Sequence, residues 1–309
     1  MGNTVGPHLM SQSAITPTVT HLTQASHHIQ DDHKSPMTVL AISSQVVAGH
    51  VGNSAAQFVL QTLGHEVWAI PTVLLSHHPG HGKPAGRGTP ATEITALLDS
   101  LWAGGWMDQV TAVMTGYFTS DDQIDAAANT ISRLKHAKPD LPVLIDPILG
   151  DNGAVYVHES VPPALRDTLM PLATIATPNL FELTTLAGLP WPMDDKARIA
   201  EAALSLKTAE VLVTSAPGTS PETISTLVYA HDEDMTLETP RTPSPPNGIG
   251  DVMASSYLAM RLRGSDPRAA ATAASRIVSG LIETASRQTL AELPLVGAGN
   301  VIRKIADSA

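Results

Sequence analysis

From Thr38 onward, short apolar runs alternate with segments of helical periodicity. That alternation restricts the fold more than any other feature of the chain. "TVLAIS" (38–43) reads as a buried strand, and "SAAQFVLQTLG" (54–64) as a helix closed by Gly64. "EVWAIPTVLL" (66–75) is a second strand, followed by the Gly/His/Pro-rich "SHHPGHGKPAGRGTP" (76–90). The helix "ATEITALLDSLWAG" (91–104) leads to the strand "VTAVMTG" (110–116) and a helix from Ser120 to about His136. "PVLIDPILG" (142–150), "LATIATPN" (172–179) and "EVLVTSAPG" (210–218) are strands with polar C-terminal ends, and "KARIAEAALSLK" (196–207) is a helix before the last of them. "TISTLVYAHDEDMTLETP" (223–240) predicts a hairpin turning at His231 to Asp234, and Gly250 to about Arg287 predicts two helices. Such alternation predicts a three-layer α/β fold, with a mostly parallel central sheet and helices on both faces.

In a sheet of this kind, ligands bind beyond the carboxyl ends of the strands. The polar residues there are Ser43 and Ser44, Thr72, Gly116 and Tyr117, Asp146, Thr177 to Asn179, and Thr214 with Ser215. They are expected to converge on one crevice. "PPNGIGDVMASSYLAM" (245–260) adds Asp251 at a helix start, preceded by Gly248 and Gly250. Glycine-exposed amides at a helix N-terminus form an anion site. The plainer alternative is that Asp251 only caps the helix. Asp146, Asp151, Asn179 and Glu182 supply hard oxygen donors suited to Mg²⁺. Asn179 and Glu182 are three residues apart, so a helix starting there turns both to one side.

Charge narrows the ligand classes. Against 29 acidic residues stand 18 Lys and Arg, for a net charge of −11, with no densely basic window. This argues against a nucleic-acid partner or an anionic membrane surface. An anionic ligand must therefore be held by local amides or a metal. No apolar run approaches the roughly 20 residues of a membrane span, and the absence of cysteine removes disulfides and thiolate chemistry. The expected location is the cytoplasm. Residues 1–36, rich in Ser, Thr, Gln and His, are expected to be a disordered extension that includes His8, His21, His27, His28 and His33. No linker interrupts 37–309, which is expected to be one domain.

These motifs resemble the pyridoxal kinases of the ribokinase-like superfamily from Met37 to near the C-terminus. "AISSQVVAGHVGNSAA" is similar to their opening strand and vitamin-contacting loop, "TVLLSHHPGHGK" to a mobile lid, and "TGY" to a third substrate strand. "DPILGD" is similar to their metal-side turn, "TPNLFEL" to their Asn-x-x-Glu motif, and "NGIGD" to their anion hole and base. The resemblance implies ATP-dependent phosphorylation of the 5′-hydroxymethyl group of pyridoxal, and of pyridoxine or pyridoxamine. Asp251 would accept the proton, and the amides of Gly248 to Gly250 would bind the charge on the transferred phosphoryl group. Ser44 and Thr72 would hydrogen-bond the pyridine ring, with Tyr117 packed on it. Asp146, Asp151 and Glu182 would hold Mg²⁺. Thr177 and Asn179 would lie near the ATP phosphates, with Thr214, Ser215, Arg241 and Thr242 lining the nucleotide side. A monovalent cation and a homodimer are further implications; the helical segments "SAAQFVLQTLG" and "ATEITALLDSLWAGGW" carry more apolar residues than one buried face needs, which makes Leu60, Leu63, Leu101, Trp102 and Trp106 interface candidates.

Ala48 and Pro84 depart from the pattern, where relatives carry a larger side chain and an aromatic respectively. Met253 and Ser255 depart too, inside the helix after the base. His77, His78 and His81 raise the alternative of a zinc site, against a role in the lid. Two other functions fit the same scaffold: a hydroxymethylpyrimidine kinase, some members of which use a lid cysteine that this chain lacks, and a non-catalytic vitamin-binding protein.

Overall fold

Alternating burial along each central strand sets the layers. In β1 (Thr38–Val46), Leu40 and Ile42 join one apolar cluster, while Val39 and Ala41 join another. Both faces are therefore covered, as in a parallel sheet flanked by helices. The computed structural model describes residues 1–2, 37–230 and 233–309. The expected extension, with its five histidines, lies outside the described residues apart from its first two positions. The described residues from Met37 onward belong to one compact unit.

After β1 come α1 (Asn53–Thr62), β2 (Glu66–Leu75), β3 (Gly86–Gly88), α2 (Ala91–Ala103), β4 (Val110–Thr115) and α3 (Asp121–Ala137). Then follow β5 (Val143–Ile145), β6 (Gly150–Asp151), β7 (Ala154–Val155), α4 (Val161–Ala164), β8 (Ile175–Ala176), α5 (Leu180–Leu186) and α6 (Lys196–Ser205). The chain ends with β9 (Glu210–Pro217), β10 (Thr223–Ala230), β11 (Glu233–Pro240), α7 (Ile249–Leu262), α8 (Pro267–Gln288) and α9 (Leu295–Ala306). The large sheet has the order β11-β10-β9-β8-β5-β4-β1-β2-β3. From β9 to β2 the strands are parallel, and β10, β11 and β3 are antiparallel additions at the two edges. Helices α2 to α6 cover one face, while α1, α7, α8 and α9 cover the other.

The elements differ from the sequence reading at several points; "LATIATPN" yields only the two-residue β8. β1 continues to Val46, so Ser43 and Ser44 lie inside it, beside a register shift against β2 between Ser43 and Gln45. "PVLIDPILG" yields only a three-residue strand, because Pro147 has no N–H to extend the ladder. The Gly/His/Pro-rich segment contributes β3, and α9 follows the two expected C-terminal helices. The strands of the expected hairpin pair as β10 and β11, while His231 and Asp232 of its turn lie outside the described residues. Leu60 and Leu63 are buried in this domain's own core, so they are not surface for a second copy. Burying a leucine side chain is worth about 1.5–3 kcal/mol, which explains their placement. Leu101 and Trp102 pack partly against the core, and only Trp106 of the five is exposed.

Candidate active site

The backbone before α7 prepares an anion site. Gly248 caps the helix with φ 88°, in the left-handed region, and a Cβ there would stand 2.2 Å from the His50 carbonyl oxygen. Only glycine permits both the turn and the approach. Among the described residues, none accepts a hydrogen bond from the N–H of Gly248, Ile249 or Gly250. Nothing lies within 4 Å of the position a Cβ would take on Gly250. Uncovered amides at the positive end of a helix dipole face open space. Asp251 is the third residue of α7 rather than its cap, which settles the plainer alternative for its position. Burial raises its carboxyl to about 6, against the opposing effect of the N–H groups of Gly52 and of Asp251 itself.

At the far end, α7 is fixed in rotation by a buried carboxylate. Glu210, first residue of β9, accepts from the Tyr257 hydroxyl at 2.5 Å and from Arg261 Nη2 at 2.6 Å. This anchor keeps the Asp251 side of the helix turned toward the strand ends.

Across the crevice sits an acidic wall. Asp146 follows β5, is buried, and accepts from the Thr177 hydroxyl at 2.9 Å. Burial, and then the charge of Asp251, raise its carboxyl to about 8. Asn179 and Glu182 form a capping box at the start of α5, each side chain accepting from the other's N–H at 2.8 Å. Glu182 Oε1 also accepts from Leu149 N–H at 3.0 Å, and Asn179 Nδ2 donates to Gly150 O at 2.8 Å. These contacts lock the loop after β5 onto α5. Burial and the charge of Asp146 push the Glu182 carboxyl well above its usual range. Asp151, in the small β6–β7 hairpin, is exposed and accepts from the backbone and amide N–H groups of Asn152.

Two buried, mutually repelling carboxyls of hard oxygen character fit a divalent cation such as Mg²⁺. Among the described residues, no group of three His, Asp or Glu side chains closes into a metal site. Water must therefore complete the coordination of any such ion, and the loop histidines do not form a zinc cluster.

The other expected residues divide. Thr72 is fully buried and its hydroxyl donates to Tyr117 O at 2.6 Å. It thereby braces the Tyr117 backbone, and its oxygen keeps lone pairs free to accept. Tyr117 N–H donates to Ser43 Oγ at 3.2 Å, and burial pushes its phenol up. Ser44, half-buried, lines the same end of β1. Thr214 N–H donates to Pro178 O at 2.9 Å, joining β9 to the Thr177–Asn179 turn, and Ser215 follows with φ 58°. Arg241 is exposed, and its guanidinium donates to Pro221 O and Thr223 O, with Thr242 half-buried beside it.

Tyr156 was not singled out by the sequence. Its side chain is exposed, yet partial desolvation of the hydroxyl and the charges of Glu182, Asp146, Asp151 and Asp251 push its phenol up. Its place five residues after Asp151 is the only cue the sequence offered.

An open α/β sheet whose strand ends face a helix start with uncovered amides and a half-buried carboxylate is the arrangement of ribokinase-like small-molecule kinases. The chain belongs to the phosphomethylpyrimidine kinase family, whose model matches residues 87–295. Within that similarity, "Pyridoxal kinase PdxY" of Corynebacterium diphtheriae is 35% identical, over 84% of this chain and 93% of its own length. The "Pyridoxine/pyridoxal/pyridoxamine kinase" of Bordetella bronchiseptica is 36% identical, over 85% and 94%. Pyridoxal kinase from Leishmania donovani, solved with ADP and pyridoxamine, superposes with TM-score 0.80 at 31% identity, covering 86% of this chain and 95% of that one.

Proposed function

We propose that this chain is a pyridoxal kinase, transferring the γ-phosphoryl group of ATP to the 5′-hydroxymethyl oxygen of pyridoxal and related B6 vitamers. The products are pyridoxal 5′-phosphate and ADP, as in vitamin B6 salvage. The observation that carries the reading is the start of α7, where uncovered amides and a half-buried carboxylate of raised pKa stand within three residues of one another. The relatives' names and the ADP-bound solved structure support the same reaction class.

In the proposed mechanism, Asp251 accepts the hydroxyl proton as that oxygen forms its bond to the γ-phosphorus and the bond to ADP breaks. A base near pH 6 is largely ionised at neutral pH yet basic enough to draw a proton in the transition state. The amides of Gly248, Ile249 and Gly250 take the charge of the transferred group, and such positioning and electrostatics supply most of the catalysis in phosphoryl transfer. Ser44 and Tyr117 line the ring side, with Thr72 setting the Tyr117 backbone. Thr177, Asn179, Thr214, Ser215, Arg241 and Thr242 lie on the nucleotide side. Mg²⁺, held by Asp146 and Glu182 and through water by Asp151, would neutralise the phosphates when bound. A monovalent cation, a homodimeric state and a cytoplasmic location belong to the same proposal.

The test is ADP release, measured with pyridoxal, pyridoxine, pyridoxamine and hydroxymethylpyrimidine in parallel. Turnover dominated by a B6 vitamer is expected. Turnover confined to hydroxymethylpyrimidine would replace this reading with the one the family's description names.

A further inference from the structure

Three loops lie near Asp251, and one residue of the C-terminal segment contacts all of them, two through its side chain and one through its backbone. Glu292 lies between α8 and α9. Its Oε2 accepts from His50 N–H at 2.9 Å, in the loop between β1 and α1. Its Oε1 stands 3.0 Å from His81 Nε2, in the loop between β2 and β3. Its backbone pairs with Asn247, the residue before the anion turn, where Asn247 N–H donates to Ala291 O at 3.1 Å.

The packing is close enough to depend on glycine. Gly49 has φ 109°, and a Cβ on it would stand 2.3 Å from Glu292 Oε1. A side chain at 49 would push the carboxylate away from His50. The loops also interlock directly. A Cβ on Gly80 would lie 3.5 Å from the Asn247 amide nitrogen, and Gly248 abuts the His50 carbonyl. Displacing any one of these loops therefore strains the other two.

We propose that Glu292 is a positioning residue, a clasp that holds the His81 loop and the 49–50 loop in register with the anion turn. It touches no reacting atom. With the His81 ring protonated at Nε2, its N–H donates to the carboxylate. Opening the His81 loop breaks one charge-assisted hydrogen bond. Losing the Glu292 side chain also leaves the His50 N–H without its acceptor, while the backbone pairing with Asn247 stays in place. The ring-binding loop then has more arrangements to lose when a vitamer binds, and affinity for the vitamer falls while the nucleotide side is untouched.

The inference rests on the kinase reading for its kinetic arm. Hydrogen bonds to a charged group are worth enough to change an equilibrium about ten- to a hundredfold. The half-exposed setting favours the lower end. Glu292→Ala should raise KM for pyridoxal roughly tenfold with KM for ATP unchanged. His81→Ala should do so less, and the double variant should not exceed Glu292→Ala, since both remove one clasp. Hydrogen exchange should quicken in residues 47–52 and 76–85 and stay unchanged in β1 and β4. Should Glu292→Ala fail to fold, Glu292→Gln decides instead. It keeps an acceptor for His50 but loses the charge facing His81, so only the 76–85 loop should loosen. An unchanged KM with unchanged exchange in both loops would overturn the clasp, as would exchange that rises equally across the core. If the wild-type protein turns over no vitamer, the proposed function fails, and the exchange measurements still decide the clasp.

Discussion

Gly248→Ala perturbs the anion turn at the one residue whose conformation and surroundings both exclude a side chain. Holding an L-residue at the observed φ of 88° costs about 1–2 kcal/mol. The new methyl carbon would stand 2.2 Å from the His50 carbonyl oxygen, about 1 Å inside ordinary contact. A backbone atom cannot rotate away as a flexible side chain can, so the 49–51 loop or the first turn of α7 must move. The combined loss of stability is on the order of 2–4 kcal/mol. A shift of about 1 Å in groups that orient a reacting phosphate costs on the order of a hundredfold in turnover. Gly250→Ala is the matched control. It meets nothing within 4 Å and φ there is not positive, so stability should hold or rise by about 0.5–1 kcal/mol. Its methyl group nevertheless enters the open space before the amides, so turnover should fall without any loss of stability. Urea unfolding and ADP release on both variants provide the comparison. Gly248→Ala with native stability and turnover within about threefold, a change of well under 1 kcal/mol, would refute the reasoning.

Three further outcomes follow from the same geometry. Asp251 is raised to about 6 and must be ionised to accept a proton, so kcat/KM should fall as pH drops through about 6; a profile level down to the ordinary aspartate range would exclude it as the base. The raised carboxyls of Asp146, at about 8, and Glu182 favour the protonated fold. Both contributions are full below the ordinary carboxylate range and lost as pH rises, that of Asp146 through about 8. The metal-free protein should therefore melt at lower temperature toward pH 8, and Mg²⁺ should raise the melting temperature most there, because binding displaces protons. An equal effect of Mg²⁺ at all pH values would remove these carboxyls from the metal site. For the proposed homodimer, sedimentation should give one species near twice 32.4 kDa that Trp106→Lys dissociates; a fully active monomer would contradict it.

Much of the architecture was legible because each central strand is a short apolar run buried on both faces, and that signal is local. The β2 boundaries, and the starts of α2 and α3 to within a residue, follow from periodicity and turn chemistry. What could not be read depends on partners distant in sequence. Leu60 and Leu63 looked like surplus apolar surface until α7 and α9 were seen to cover α1. Thr72 also donates its hydroxyl to a backbone carbonyl 45 residues on, a contact no local window shows. Glu292 showed no motif at all. Its meaning comes from contacts 211 and 242 residues away in the chain, and no window of sequence contains them. α9 was missed because Gly297 and Gly299 weaken a pattern that packing against α1 and α8 rescues.

The central claim is that Asp251 takes a proton while the amides before it hold the phosphoryl group. The most direct test is Asp251→Asn, assayed for single-turnover ADP formation with pyridoxal and, on the same preparation, for pyridoxal and ATP binding by calorimetry. The account predicts both ligands bound within a few-fold of wild type and turnover lowered about 10²–10⁴-fold. Near-normal turnover with both ligands bound would contradict it and reduce Asp251 to a structural residue of the first turn of α7.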